Sequence, residues 1–244
     1  MNYQIKSNFT GLIVTAFLVS GLIPVPVFAD CADEPAAGVN WAGCDKQGVD
    51  LSGIDLSSAV LTRTNLENAN FSGSRLSHAD FNRSNLKNAK FDKARMIGAR
   101  LVGVEARGAS FRQAILDDAS LSRSSLDSAD FTQSRLRRVN FYDADLAHAD
   151  FTLANLEGAR LERAKMFAAK YDEANLDAAN LESSDAETAT FKNASMVKAK
   201  LDNAILRESD FTEADLTKAS LREANIDDAI FDGAILSDTI WVQY

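Results

Sequence analysis

From Leu51 to Trp241 an apolar residue, large at all but Ala106 and Ala186, returns at every fifth position, and the residue two places before it is Ala, Ser or Thr except at Val49, Ile54, Val104 and Val139. In the stretch ADFTLANLEGARLERAKM, residues 149–166, the large residues are Phe151, Leu156, Leu161 and Met166, and the small ones are Ala149, Ala154, Ala159 and Ala164. No ordinary element has this period. Five steps along an α-helix rotate the chain by about 500°, so successive positions drift by about 140° and make no stripe. On a strand, five steps change face each time. The pattern instead predicts a chain that turns a corner every five residues. Each unit then sends two side chains inward, one large and one small, and three outward.

The register runs without insertion or deletion. The central positions are Leu or Phe except at Met96, Ala106, Met166, Tyr171, Ala186, Met196, Ile226 and Trp241, none of them charged. Sorting the centres by a period of twenty segregates the aromatic ones. One column reads Leu51, Phe71, Phe91, Phe111, Phe131, Phe151, Tyr171, Phe191, Phe211, Phe231. The columns Leu56–Leu236 and Leu66–Ile226 hold no aromatic residue. Four corners therefore close one coil. The expected fold is an all-β solenoid, a right-handed quadrilateral β-helix of about ten coils of twenty residues. Coils pair backbone to backbone about 4.8 Å apart, which gives a rod about 45–50 Å long. The right hand follows from the crossover rule for parallel connections. The Phe column is expected to form an aromatic stack along one inner wall. Proline is absent after Pro35, as a chain that uses most of its amides between coils requires.

The segments ADFTLANLEGA, SDFTEADLTKASLREANI and ADLAHADFTLANL resemble the pentapeptide repeat family, whose unit is written A-[DN]-L-x-x. The resemblance covers residues 49–241. It implies the same right-handed quadrilateral β-helix and does not define one activity. The best-understood members of that family resemble DNA in shape and charge and bind gyrase in the cytoplasm; others are exported or lumenal. Lys46 departs from the pattern, because it stands at a central position between Trp41 and Leu51. A charge there cannot be buried unpaired. Residues 30–48 are therefore expected to form an N-terminal cap, or an imperfect first coil pinned by Cys44.

Residues 1–29 read as a cleaved signal peptide. One Lys precedes an uncharged apolar run, which ends in Val27-Phe28-Ala29 before Asp30, a small-x-small cleavage pattern between Ala29 and Asp30. The alternative is an uncleaved anchor, for which the run before Pro24 is short. Asp30 before Cys31 disfavours a lipid anchor. The chain is thus expected in the periplasm, outside the cell or in an equivalent lumen, with no membrane contact after cleavage. Both cysteines, Cys31 and Cys44, lie near the mature N-terminus and read as a disulfide. Two thiols alone make half a zinc site, so no metal is expected. Residues 242–244 are left as a tail.

The formal net charge is −9, which disfavours nucleic acid and anionic membranes as partners. A filled coil offers no concavity for a catalytic site or a cofactor, and none is expected. His78 and His148 fall on outward places of different sides. Ser122, Ser124, Ser125 and Ser128 follow the repeat and form no nucleophile elbow. Charge is expected to be uneven around the rod. The sides of the Phe column and of Leu66–Ile226 are acidic. The other two carry Arg135, Arg137 and Arg138 on one, and Arg63, Arg100, Arg123, Arg160 and Arg163 on the next. The boundary at Arg135, Arg137, Arg138, Arg160 and Arg163 is the expected surface for a protein partner. At the C-terminal end the usually polar place before the centre becomes Ile230, Ile235 and Ile240, beside Trp241. This apolar rim predicts end-to-end homodimerisation. The reading is a non-catalytic exported scaffold or protein-binding rod. The alternative is a DNA-mimicking inhibitor or protector of an enzyme such as gyrase, should the signal sequence go unused.

Overall fold

The computed structural model describes residues 29–241. The signal-peptide reading of the residues before Ala29, and the tail at 242–244, lie outside the described residues.

Each five-residue unit is a turn followed by a bridge. In the unit Leu66–Asn70, the Ala69 N–H donates to the Leu66 carbonyl at 3.0 Å, and Asn68 takes φ 57°. A positive φ at the third residue of the turn is the mark of a type II turn. It recurs at almost every position ending in 3 or 8, including Arg138, Leu153 and Glu213, none of which favours the left-handed region. The same residue repays that strain with an inter-coil bond. The Arg138 N–H donates to the Glu157 carbonyl at 2.9 Å, for example.

The fifth residue of each unit bridges in parallel to the residue twenty places on, from Asn40–Val60 to Ser220–Ile240. Four bridges therefore make one coil. Each side carries a single bridging residue, and the described residues form no longer strand. The sides are numbered by their central columns: side 1, Leu51–Phe231; side 2, Leu56–Leu236; side 3, Leu61–Trp241; side 4, Leu66–Ile226.

The Asp or Asn before many centres has a local role. Its side-chain oxygen accepts the N–H two residues on, which the turn leaves without a backbone partner. Asp130 takes the Thr132 N–H at 2.9 Å, Asp150 that of Thr152 at 2.9 Å, and Asn155 that of Glu157 at 3.0 Å. Where the bridging residue is Arg100, Ser110, Arg135, Thr190, Ser195 or Ser220, an acid or Asn one coil below takes over. These are Asn82, Asp92, Asp117, Asp172, Asp177 and Asp202, each accepting the N–H twenty residues further on.

The interior is solid. The central and small residues of the middle coils are buried almost without exception. On side 1 the rings from Phe71 to Phe231 stack at centroid distances of 4.7–5.1 Å, with planes 1–9° from parallel. Phe81 and Phe141, on the opposite side 3, meet this stack edge-on at 5.6–5.8 Å. The core is thus an aromatic ladder braced from across the coil.

The coil geometry reaches into the 30–48 stretch that the sequence assigns to a cap or an imperfect first coil. Asn40 bridges Val60 and Asp45 bridges Asn65, so coil pairing there begins at Gly38–Asn40. Lys46 resolves its misplaced charge by lying half-buried, its Nζ 4.0 Å above the Trp41 ring. What remains as a lid is residues 30–35. This segment is tied down by the Cys31–Cys44 disulfide, by the Asp30 N–H to the Asn40 carbonyl, and by Trp41 Nε1 donating to the Asp33 carbonyl at 3.1 Å. Trp41 is sealed beneath it at 1% exposure.

Candidate functional site

With the interior filled, the chemistry of this chain lies on its sides and ends. Among the described residues no group of His, Cys, Asp or Glu is arranged to hold a metal ion, and no helix is long and apolar enough to cross a membrane.

On side 2 the structure brings together three of the five arginines expected to form a partner surface. Asp117 is buried at 4% exposure. Arg137 donates to it through Nη2 at 2.8 Å, through Nε at 3.3 Å and through its own backbone N–H at 3.3 Å. Arg135 Nε lies 2.9 Å from the same carboxylate, in ion-pair contact but not aligned for a hydrogen bond. Burial by itself would raise the Asp117 carboxyl, and the contacts from Arg137 and Arg135 outweigh it, holding the carboxyl below its usual value. Beside it Arg138 grips Asp118 with a two-point fork at 2.8 and 2.7 Å, which lowers that carboxyl too. On side 3 Arg160 meets Glu162 at 3.3 Å. Arg163 reaches Asp143 at 4.0 Å and sits over the Tyr142 ring. Each of these five arginines therefore lies within 4.0 Å of an acid of its own rod, while its side chain stays 39–62% exposed.

The unclaimed arginines lie nearer the N-terminus. The side chains of Arg63, Arg83 and Arg123, all outward on side 3, and of Arg95 on side 2, have no ion pair or hydrogen bond among the described residues, whereas Arg100 is held by Asp80. Reading the sequence alone places Arg63 and Arg123 in the basic strip but passes over Arg83. Writing the chain in rows of twenty separates the two groups. Arg137 and Arg138 have an acid twenty places before them, and Arg63 and Arg83 do not.

The two histidines differ as well. His148 contacts Asp127 at 3.0 Å and meets the Phe167 ring edge-on, and Arg107 shares the same Asp127. His78 lies over Gly98, where an added Cβ would stand 2.7 Å from its Nδ1. Any larger residue at Gly98 would therefore require the imidazole to move.

The two ends are unlike. The N-terminal end is lidded, as above. At the C-terminal end Ile230, Ile235, Leu236, Ile240 and Trp241 are 38–50% exposed, and Ile226 and Phe231 are partly buried, whereas the centres from Leu51 to Leu221 are buried. Trp241 packs edge-on against Phe231 and leaves its outer part open. The Ile230, Ile235 and Ile240 amides all pair back to the preceding coil. The N–H groups of Ile226, Phe231 and Leu236, which at every earlier centre donate to the next coil, have no partner among the described residues. Neither do the carbonyls of Ala229 and Ala234.

Comparison with known proteins agrees with this architecture. A family model described as pentapeptide repeats matches in eight copies, over residues 42–77, 69–105, 107–143, 134–169, 172–207 and 206–238. Among solved structures the chain is similar to HetL, a pentapeptide repeat protein involved in heterocyst differentiation regulation from the cyanobacterium Nostoc sp. strain PCC 7120. That match has 30% identity and a TM-score of 0.61, and covers 83% of this chain and 89% of HetL. Rfr23 from the cyanobacterium Cyanothece 51142 matches at 25% identity with a TM-score of 0.31, over 46% of this chain and 64% of its own. QnrB1, a plasmid-mediated fluoroquinolone resistance protein, matches at 17% identity with a TM-score of 0.41, over 86% and 92%. No curated protein matches the chain.

Proposed function

This chain belongs to the pentapeptide repeat family, and from that premise we propose that it is a non-catalytic, exported protein-binding rod. In this reading it is a right-handed β-helix of about ten coils that pairs with a second copy through its C-terminal coil. The observation that carries the reading is the contrast between the ends. One is closed by a disulfide-tied lid, and the other presents an apolar rim with edge amides that have no partner among the described residues.

An open solenoid end invites association, because unpaired edge groups and core apolar surface face water together. Among the described residues the C-terminal edge holds both unpaired donors and unpaired acceptors, so two copies related by a two-fold axis can satisfy one another. A filled interior supports a binding role over a catalytic one. The Cys31–Cys44 disulfide supports an oxidising compartment, in keeping with the leader-like residues 1–29.

The net charge of −9 favours a second reading, a mimic of DNA acting in the cytoplasm. A duplex mimic needs a continuous negative field, and the free arginines of side 3 interrupt it. Cell fractionation with thiol alkylation separates the two. The export reading expects a species that starts at Asp30, lies outside the cytoplasm and has both cysteines blocked to alkylation. A full-length cytoplasmic species with two free thiols overturns export and leaves the mimic.

A further inference from the structure

On side 3, across the turns that follow Leu61, Phe81 and Leu101, an open recess of about 410 Å³ is lined by Thr62, Arg63, Asn82, Arg83 and Val102. Its polar inventory is one-sided. The guanidiniums of Arg63 and Arg83 have no protein partner. The Asn82 Oδ1 is already taken by the Val102 N–H at 2.8 Å, which leaves its amide N–H groups unused. The Thr62 hydroxyl is unused as well, its carbonyl having received the Gly43 N–H. No carboxylate lines the recess. Asp80, one place before the Phe81 centre, is occupied by Arg100 and by the Asn82 N–H at 3.0 Å.

The spacing suits one kind of ligand. Arg63 and Arg83 hold equivalent turn positions on successive coils, and coils stack about 4.8 Å apart. Side chains rising from backbone positions one coil apart can bring two guanidiniums to a single tetrahedral oxyanion, each presenting a planar fork of N–H groups. The next place in the same ladder is Gly103, so no third side chain crowds the recess from above. The Arg83 Cγ lies 3.9 Å from where a Cβ on Gly103 would stand. Val102 supplies the one apolar wall. The recess is open and larger than a bare oxyanion, which leaves room for an organic part beside Val102.

We propose that this recess binds a small organic anion through a phosphate or sulfate ester group bridged by Arg63 and Arg83. The Asn82 amide and the Thr62 hydroxyl complete the donor set, and the organic part rests on Val102. The site is independent of both the oligomeric state and the compartment of the rod.

The test uses the intact chain, with inorganic phosphate and inorganic sulfate as separate probes and ionic strength held constant with chloride. The arginine Nε–Hε signals are followed by NMR. Both probes should shift two arginine signals along a saturating curve. Arg63→Gln and Arg83→Gln should each weaken binding about tenfold or more, as loss of one charged hydrogen-bonding partner implies. Arg123→Gln removes the same charge two coils beyond Arg83 and should leave the affinity within about twofold, since it takes away no ligand contact. All three variants alter exposed side chains, and an unchanged melting curve verifies the fold. Linear, non-saturating shifts overturn the proposal. So does an Arg123→Gln loss equal to that of Arg83→Gln, which would reduce the effect to net charge, or chloride competing as well as sulfate.

Discussion

Tyr171 stacks on Phe151 with ring centroids 4.7 Å apart and planes 5° from parallel, as each phenylalanine of its column stacks on the next, yet its hydroxyl is sealed inside without a hydrogen-bond partner. Burial pushes the phenol far above its ordinary pKa. The ring is stabilising and the oxygen is not. Tyr171→Phe keeps the stack and removes a buried unsatisfied group, so urea unfolding should show a gain of about 1–2 kcal/mol. A loss of stability would mean that the hydroxyl has found a partner.

Depth in the stack should set the cost of truncation. Phe151 touches Phe131, Phe141 and Tyr171 and is fully buried. Phe231, near the open end, touches Phe211 and Trp241 and is only partly buried. Phe151→Ala should cost about 3–5 kcal/mol, in the range for a buried aromatic. Phe231→Ala should cost clearly less, because its site already faces solvent. Equal losses by thermal or chemical denaturation would contradict this ordering.

Acid should unfold the rod in a defined direction. The carboxyls of Asp117, Asp118, Asp55 and Asp210 are all held below their ordinary value in the folded chain. Their contribution is fully present above the unfolded pKa of about 3.9 and is lost as pH falls through the lower folded values. Melting temperature should therefore stay flat from neutrality to about pH 5 and drop below about pH 4. Asp117→Asn should lower the neutral-pH plateau and make the acid drop shallower. A plateau that shifts with no change in the drop would show that Asp117 does not titrate in this range.

Reducing the disulfide should act locally. Cys31–Cys44 ties the lid to the first coil, and each coil contacts only its neighbours. The chain-entropy value for a loop this short is about 3 kcal/mol. Amide exchange in the presence of reductant should rise in residues 30–60 and stay unchanged in the middle coils. A uniform rise along the chain would show that the lid supports the whole rod.

The C-terminal rim should control oligomeric state. Sedimentation of the chain at tens of micromolar should give a dimer, and Ile235→Asp or Ile240→Asp should give a monomer with an unchanged circular dichroism spectrum, since both side chains are exposed. A monomer in every case would end the proposal that the rim pairs two copies.

Much of this could be read in a single row of letters. The five-residue return of large and small apolar residues specifies which side chains face inward, and the segregation of Phe at period twenty specifies four sides. Both follow because core volume must be filled at every step of a narrow coil. The reason for Asp or Asn before the centre is also local, since the oxygen reaches an N–H two residues away. The substitutes for that cap, such as Asp117 for Arg137, appear only when residues twenty apart are set side by side.

What the sequence by itself determined about this protein is therefore its repeat, its four-sided core and the residues that fill it, because each is fixed by a chemistry repeated dozens of times. What only the tertiary structure decided is which charges are spent and which remain free. Arg135, Arg137, Arg138, Arg160 and Arg163 look unpaired in the sequence, yet four of them lie against an acid of the coil below and Arg160 against Glu162 of its own coil, while Arg63 and Arg83 flank a recess that no carboxylate lines. The seat of Lys46 over Trp41 and the contrast between the closed and open ends belong to the same class. Pairing between long side chains on adjacent coils depends on reach and on what stands one coil above or below. That is a property of the stack and not of any one five-residue unit.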